Sequence, residues 1–143
     1  MKLKLLTFML ALAVADASAQ SDVAAKAAKE PGAVVTRSGL VYRAMKEGNG
    51  ESPSAGDTVR VHYRGTFPDG REFDSSYKRG QPAEFPLNRV IPCWTEGVQR
   101  MKTGGKAKLT CPPGIAYGQR GAGGVIPPNA TLMFDIELLE IMR

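Results

Sequence analysis

Residues 57–65 constrain this chain more than any other stretch. Val59, Val61 and Tyr63 alternate with Thr58, Arg60, His62 and Arg64. That period of two puts the apolar side chains on one face of a β-strand and the polar ones on the other, whereas a helix would scatter both sets. A sheet covered on one side is therefore required. Pro68-Asp69-Gly70 follows close behind. Proline presets φ and glycine accepts a positive φ, so the chain is expected to turn there and return antiparallel over residues 71–75.

The remaining segments have the same texture. Residues 40–45 read as a first strand, closed by Gly48-Asn49-Gly50, and residues 82–87 as a short extended piece. Residues 106–111 alternate with Ala107, Leu109 and Cys111 inward. After a long loop over 112–128, a last strand over 131–141 places Leu132, Phe134, Ile136 and Leu138 on one face, against Met133, Asp135 and Glu137. One helix is expected over 93–102, where Trp94, Val98 and Met101 make a single apolar stripe. Pro92 stands at its mouth and Gly104-Gly105 stops it. Ten prolines and sixteen glycines fit turns and short strands better than long helices. The fold class is α+β with an antiparallel sheet. At 143 residues the chain is long enough for one self-sufficient core.

The N-terminus has a different composition. Lys2 and Lys4 precede an apolar stretch over 5–15, followed by Ala17-Ser18-Ala19. This is the layout of a signal peptide over residues 1–19, cleaved before Gln20, and the stretch is too short to span a membrane. Export to the periplasm or medium is expected. No cysteine follows the cleavage position, so no lipoprotein anchor is expected. Residues 20–36 are rich in Ala and Lys and show no apolar docking face, so they read as a flexible N-terminal arm, either a frayed helix or disordered, ahead of a domain over 37–143.

Cleavage takes the net charge from +5 to +4. The basic residues are spread out rather than gathered in a patch, so they read as solubility charge and not as a nucleic-acid surface. Two cysteines and one histidine are too few for a zinc site, and no metal or cofactor is expected. Cys93 and Cys111 admit two readings, a disulfide or two free thiols; an oxidising compartment favours the disulfide. Catalysts that act through acids, bases or nucleophiles find little support. His62 lies on the polar face of its strand, and no nucleophile elbow, phosphate loop or metalloprotease motif is present.

The sequence does concentrate aromatic and aliphatic residues. Tyr63, Phe73, Phe85, Val90, Ile91, Trp94, Tyr117, Ile126 and Phe134 come from six separate segments. Spacing alone does not separate a binding cleft from an ordinary core.

Several motifs in register carry a resemblance. Val61-His62-Tyr63-Arg64-Gly65, Phe73-Asp74-Ser75-Ser76, Val90-Ile91-Pro92-Cys93-Trp94, Ile115-Ala116-Tyr117-Gly118 and Ile126-Pro127-Pro128 resemble the FKBP-type peptidyl-prolyl cis-trans isomerases in order and separation. So does the closing run over 132–138, and together they cover about residues 38–142. The resemblance implies an antiparallel sheet wrapped around one short amphipathic helix. It implies isomerisation of X-Pro bonds in proline-containing polypeptides that are folding after export, with no covalent chemistry.

Carried over position by position, it implies Tyr63, Asp74 and Tyr117 as catalytic residues. It also implies a substrate site of Phe73, Phe85, Val90, Ile91, Trp94, Ile126 and Phe134, with Trp94 as floor. Tyr117 and the Ile91 N–H would hold substrate carbonyls, and Arg79 would pair with Asp74. Ala83 stands where a larger wall residue is common in the family, and the loop over 121–124 lacks an aromatic tip. Both leave a trimmed rim, which weakens the case for the family's macrolide inhibitors as ligands. In this fold Cys93 opens the helix and Cys111 ends the neighbouring strand, so a disulfide is the expectation and buried thiols the alternative. The arm is shorter than the helical dimerisation segment of some exported members, so a monomer is expected. A binding or chaperone module of the same fold is the rival reading, as is a secreted interaction domain.

Overall fold

The structure, a computed structural model, describes residues 22–143. The segment 1–19 read as a signal peptide lies outside the described residues. Residues 22–28 are helical (α1). The sheet contains β1 (Ala33–Val35), β2 (Val41–Lys46), β3 (Thr58–Thr66), β4 (Glu72–Ser75), β5 (Ala83–Pro86), β6 (Lys106–Cys111) and β7 (Leu132–Met142). Between them lie two short helices, α2 (Ser76–Arg79) and α3 (Pro92–Gln99), and two 3-10 turns, Leu87–Arg89 and Pro113–Ile115.

All seven strands join one sheet in the order β1-β2-β6-β7-β3-β4, and every pairing is antiparallel. β3 is long enough to serve two partners on one edge. Its first half pairs with β5, through Val59 opposite Phe85, and its second half with β4, through Gly65 opposite Asp74. The expected hairpin closes with the Phe67 N–H donating to the Arg71 carbonyl at 2.9 Å. The alternating residues divide as their pattern requires: Val59, Val61, Leu109, Leu132 and Leu138 are fully buried.

α3 lies against this inward face, and Trp94, Val98 and Met101 enter the same core cluster as the strand residues. Its close approach depends on Gly97, because a Cβ there would collide with the Leu109 side chain of β6. The helix ends at Gln99, earlier than the residue 102 expected. Arg100 and Met101 donate to carbonyls three residues back, Gly97 and Val98, so the last turn tightens and the chain peels away before the glycines. Cys93 and Cys111 are disulfide-bonded, with a Cα–Cα separation of 5.8 Å, which ties the first turn of α3 to the end of β6.

The segment after Gln20 begins as a helix, one of the two forms its composition allows, but it has the docking face that composition did not suggest. Val23, Ala24, Ala27 and Ala28 form one small apolar face, and Ala27 is buried. Glu30 then pairs with Arg43 at 2.9 Å and Lys108 at 3.1 Å. Ala33–Val35 completes the attachment as an edge strand on β2. Alanine offers so little apolar area that a docking face built from it leaves almost no mark on the hydrophobic pattern. Among the described residues, no helix is long and apolar enough to cross a membrane.

Candidate functional site

A cleft of about 400 Å³ opens between α3, the β3–β4 hairpin and the loop after β6. It is lined by Tyr63, Phe73, Asp74, Phe85, Val90, Ile91, Trp94, Tyr117 and Phe134, and by Arg89, which motif reading had passed over. Ile126 lines a recess next to it with Ala122 and Val125; Phe73, Asp74 and Tyr117 border both. Ala83 sits in β5 opposite Val61 and does not line the cleft.

Rings packed edge to face build the floor. The Trp94 indole meets Tyr63 at 5.2 Å and 83°, Phe85 at 5.3 Å and 81°, and Phe134 at 5.4 Å and 90°. Phe73 meets Phe134 at 5.6 Å and 83°. Such contacts set the positive edge of one ring against the negative face of another, and they hold ring positions as well as area. Gly65 makes room for this wall: a Cβ there would run into the Phe73 ring and crowd Phe134. Trp94 is 4% exposed although it borders the cleft, so one face serves the core and the other the cavity.

The polar side of the cleft is a three-residue cluster. The Tyr63 hydroxyl donates to Asp74 Oδ2 in a short hydrogen bond and accepts one from Arg79 Nη2 at 3.0 Å. Arg79 Nη1 donates to Asp74 Oδ1 at 2.6 Å, and the Ser75 N–H donates to the same oxygen at 2.9 Å. Burial pushes the Asp74 carboxyl up, but the hydrogen bonds from Tyr63 and Arg79 and the guanidinium charge outweigh it and hold Asp74 below the usual aspartate range. Burial, with the Asp74 carboxylate second, pushes the Tyr63 phenol above its ordinary value. The Arg79 guanidinium is held charged by the same two partners.

Two donors on residues that line the cleft have no partner among the described residues. The Ile91 N–H stands at the N-cap of α3, where φ is −60° and ψ is 149°, ahead of the first helical hydrogen bond. The Tyr117 hydroxyl is likewise unbonded, on a side chain 40% exposed. Proline at the first helical position gives α3 its φ without needing a donor.

His62 does meet a hydroxyl, which sequence reading did not foresee. Its Nδ1 lies 2.8 Å from Ser76 Oγ, and its ring stacks on Tyr77 at 4.6 Å. The Ser76 hydroxyl is fully buried and occupied: it accepts the Tyr63 N–H at 2.7 Å and donates to the Tyr63 carbonyl at 3.3 Å. Neither His62 nor Ser76 lines the cleft, so the pair fixes the backbone behind Tyr63 and attacks nothing.

Fold and site together define a class: an antiparallel sheet packed on a short helix, with an aromatic-floored cleft bordered by a Tyr63–Asp74–Arg79 cluster. Comparison with known proteins makes the class definite. A family model described as FKBP-type peptidyl-prolyl cis-trans isomerase matches residues 49–139, and the chain belongs to that family. The FKBP-type isomerase FkpA of Escherichia coli K12 is 54% identical over 116 residues, covering 81% of this chain and 43% of that protein. The FKBP-type 22 kDa isomerase of the same strain is 53% identical over 115 residues, covering 80% and 56%. The chain thus spans about half the length of these curated relatives. The crystal structure of Escherichia coli FkpA superposes with a TM-score of 0.84 at 45% identity, over 98% of this chain and 67% of that one. That of a peptidyl-prolyl isomerase from Pseudomonas syringae gives 0.83 at 37% identity, over 90% and 95%.

Proposed function

We propose that this chain catalyses cis–trans isomerisation of X-Pro bonds in polypeptides folding after export, acting as a monomer through the domain that follows its leader peptide. The observation that carries the reading is the Trp94 floor with its ring of Tyr63, Phe85 and Phe134, facing two unbonded donors, Ile91 N–H and Tyr117 O–H.

Rotation about an X-Pro bond is opposed by amide resonance, with a barrier of roughly 18–20 kcal/mol. The planar amide is more dipolar than the twisted one, so water stabilises it more. An apolar cleft withdraws that stabilisation and binds the twisted state better than the ground state. Trp94, Phe85 and Phe134 supply the dry surface on which a proline ring rests. Ile91 N–H and Tyr117 O–H hold flanking carbonyls while the bond turns. Asp74 and Arg79 keep the Tyr63 hydroxyl oriented on the polar wall. Spontaneous isomerisation takes tens of seconds or more, slow enough to limit folding. The small side chain of Ala122 in the adjoining recess favours broad access over tight capture of a macrolide.

A cis–trans assay on X-Pro tetrapeptides tests the reading, with Tyr117→Phe and Asp74→Ala as variants. Clear acceleration by the wild type, reduced in both variants, is expected. Turnover no faster than buffer leaves only a binding module of the same fold.

A further inference from the structure

Among the described residues, the cleft and its neighbouring recess carry two charged side chains on their lining, Asp74 and Arg89. Asp74 is compensated, because Arg79 bonds it at 2.6 Å and Tyr63 donates to it. Arg89 makes no hydrogen bond or ion pair with any described residue. An uncompensated cation therefore stands at the rim of an otherwise apolar cavity.

Its backbone is fixed. Arg89 closes the 3-10 turn Leu87–Arg89, and Leu87 is fully buried. The Leu87 N–H donates to the Asp57 carbonyl at 2.9 Å, and the Leu87 carbonyl accepts from Thr95 Oγ1 at 2.6 Å. Val90 and Ile91 follow directly and line the cleft. The guanidinium thus hangs from an anchored turn beside low-dielectric walls, which concentrate its field toward whatever enters.

Resting on the isomerase reading above, we propose that Arg89 is a specificity-determining residue, and that the cleft prefers prolyl segments with Asp or Glu next to the proline over those with Lys or Arg. Arg79 does not share this role, since both its terminal nitrogens are engaged by Asp74 and Tyr63. Because Arg89 is exposed, the preference is that of a half-solvated ion pair: about threefold for Glu over Gln at low ionic strength, with a similar penalty for Lys. Salt at about 0.5 M should erase most of it.

The test compares kcat/KM for tetrapeptides with Glu, Gln or Lys before the proline, and a second set with the same residues after it. The wild type should rank Glu over Gln over Lys in at least one set. Arg89→Gln should flatten the ranking, and Arg89→Glu should invert it, which a loss of packing does not do. The same order in wild type and Arg89→Glu, or no order in either set, overturns the proposal. The Gln peptides report on the isomerase reading separately. If they are not turned over, binding of both sets followed by the fluorescence of the single tryptophan, Trp94, still decides the charge preference. There, equal affinity for Glu and Lys peptides overturns it.

Discussion

The Trp94 indole stands perpendicular to the Phe134 ring, with centroids 5.4 Å apart, so the helix supplies the cleft floor and the last strand braces it. Trp94 is nearly buried, and replacing it by alanine should cost about 3–5 kcal/mol. Trp94→Leu keeps much of the volume and should cost less while still losing the flat surface. We expect urea midpoints in the order wild type, Trp94→Leu, Trp94→Ala. Peptide turnover should fall sharply in both variants; full turnover by Trp94→Leu would show that the floor needs only bulk.

Asp74 gives the domain a pH signature. Its pKa is lower in the folded state than in the unfolded chain, so its contribution to stability is complete above pH 4 or so and is lost as pH falls through the depressed value. Thermal midpoints of the wild type should therefore drop more steeply than those of Asp74→Asn between about pH 4 and 2. Parallel curves would mean that the Arg79 and Tyr63 bonds do not favour the ionised carboxylate.

The Cys93–Cys111 bond closes a loop with a sequence separation of 18, which in the chain-entropy account is worth roughly 3 kcal/mol. Thiol titration of the unreduced, denatured protein should find no free thiol. Reduction should lower the urea midpoint, and because the bond ties the Trp94 helix to the strand from which the Tyr117 loop departs, turnover should fall as well. Two free thiols without reductant would contradict both expectations.

Gly97 sets the distance between α3 and β6. Gly97→Ala forces a methyl group against Leu109, and overpacking of this kind costs typically 1–3 kcal/mol. Leu109 is fully buried, so Leu109→Ala is itself destabilising. The double variant Gly97→Ala/Leu109→Ala should nevertheless lose less than the sum of the two single variants if contact between the two is the cause. An unchanged midpoint for Gly97→Ala would show that the helix is free to back away.

The parts of the molecule governed by period and volume were legible in the sequence. The alternation in β3, β6 and β7 and the Trp94-Val98-Met101 stripe follow from which faces must leave water, and they appear where the pattern put them. The attachment of β1 was not legible, because a three-residue edge strand with Val34 and Val35 exposed has too few residues for alternation to register. The cleft was legible only as motifs in register. Tyr63, Phe73 and Phe134 obey the same inward pattern as core residues, and only the space above Trp94 separates their roles. Arg89 escaped because a lone basic residue reads as solubility charge until its missing partner and its place at the rim are seen.

The central claim is that the cleft turns a prolyl bond by packing and hydrogen bonding, with no proton in flight. Asp74 is held below the usual aspartate range and Tyr63 above its ordinary value, so neither changes charge between about pH 5 and 9. The most direct measurement is kcat/KM for an X-Pro tetrapeptide in H2O and in D2O across that range. The account predicts acceleration over buffer, a flat pH profile and a solvent isotope ratio near unity. A bell-shaped profile with a clearly normal isotope effect would contradict it.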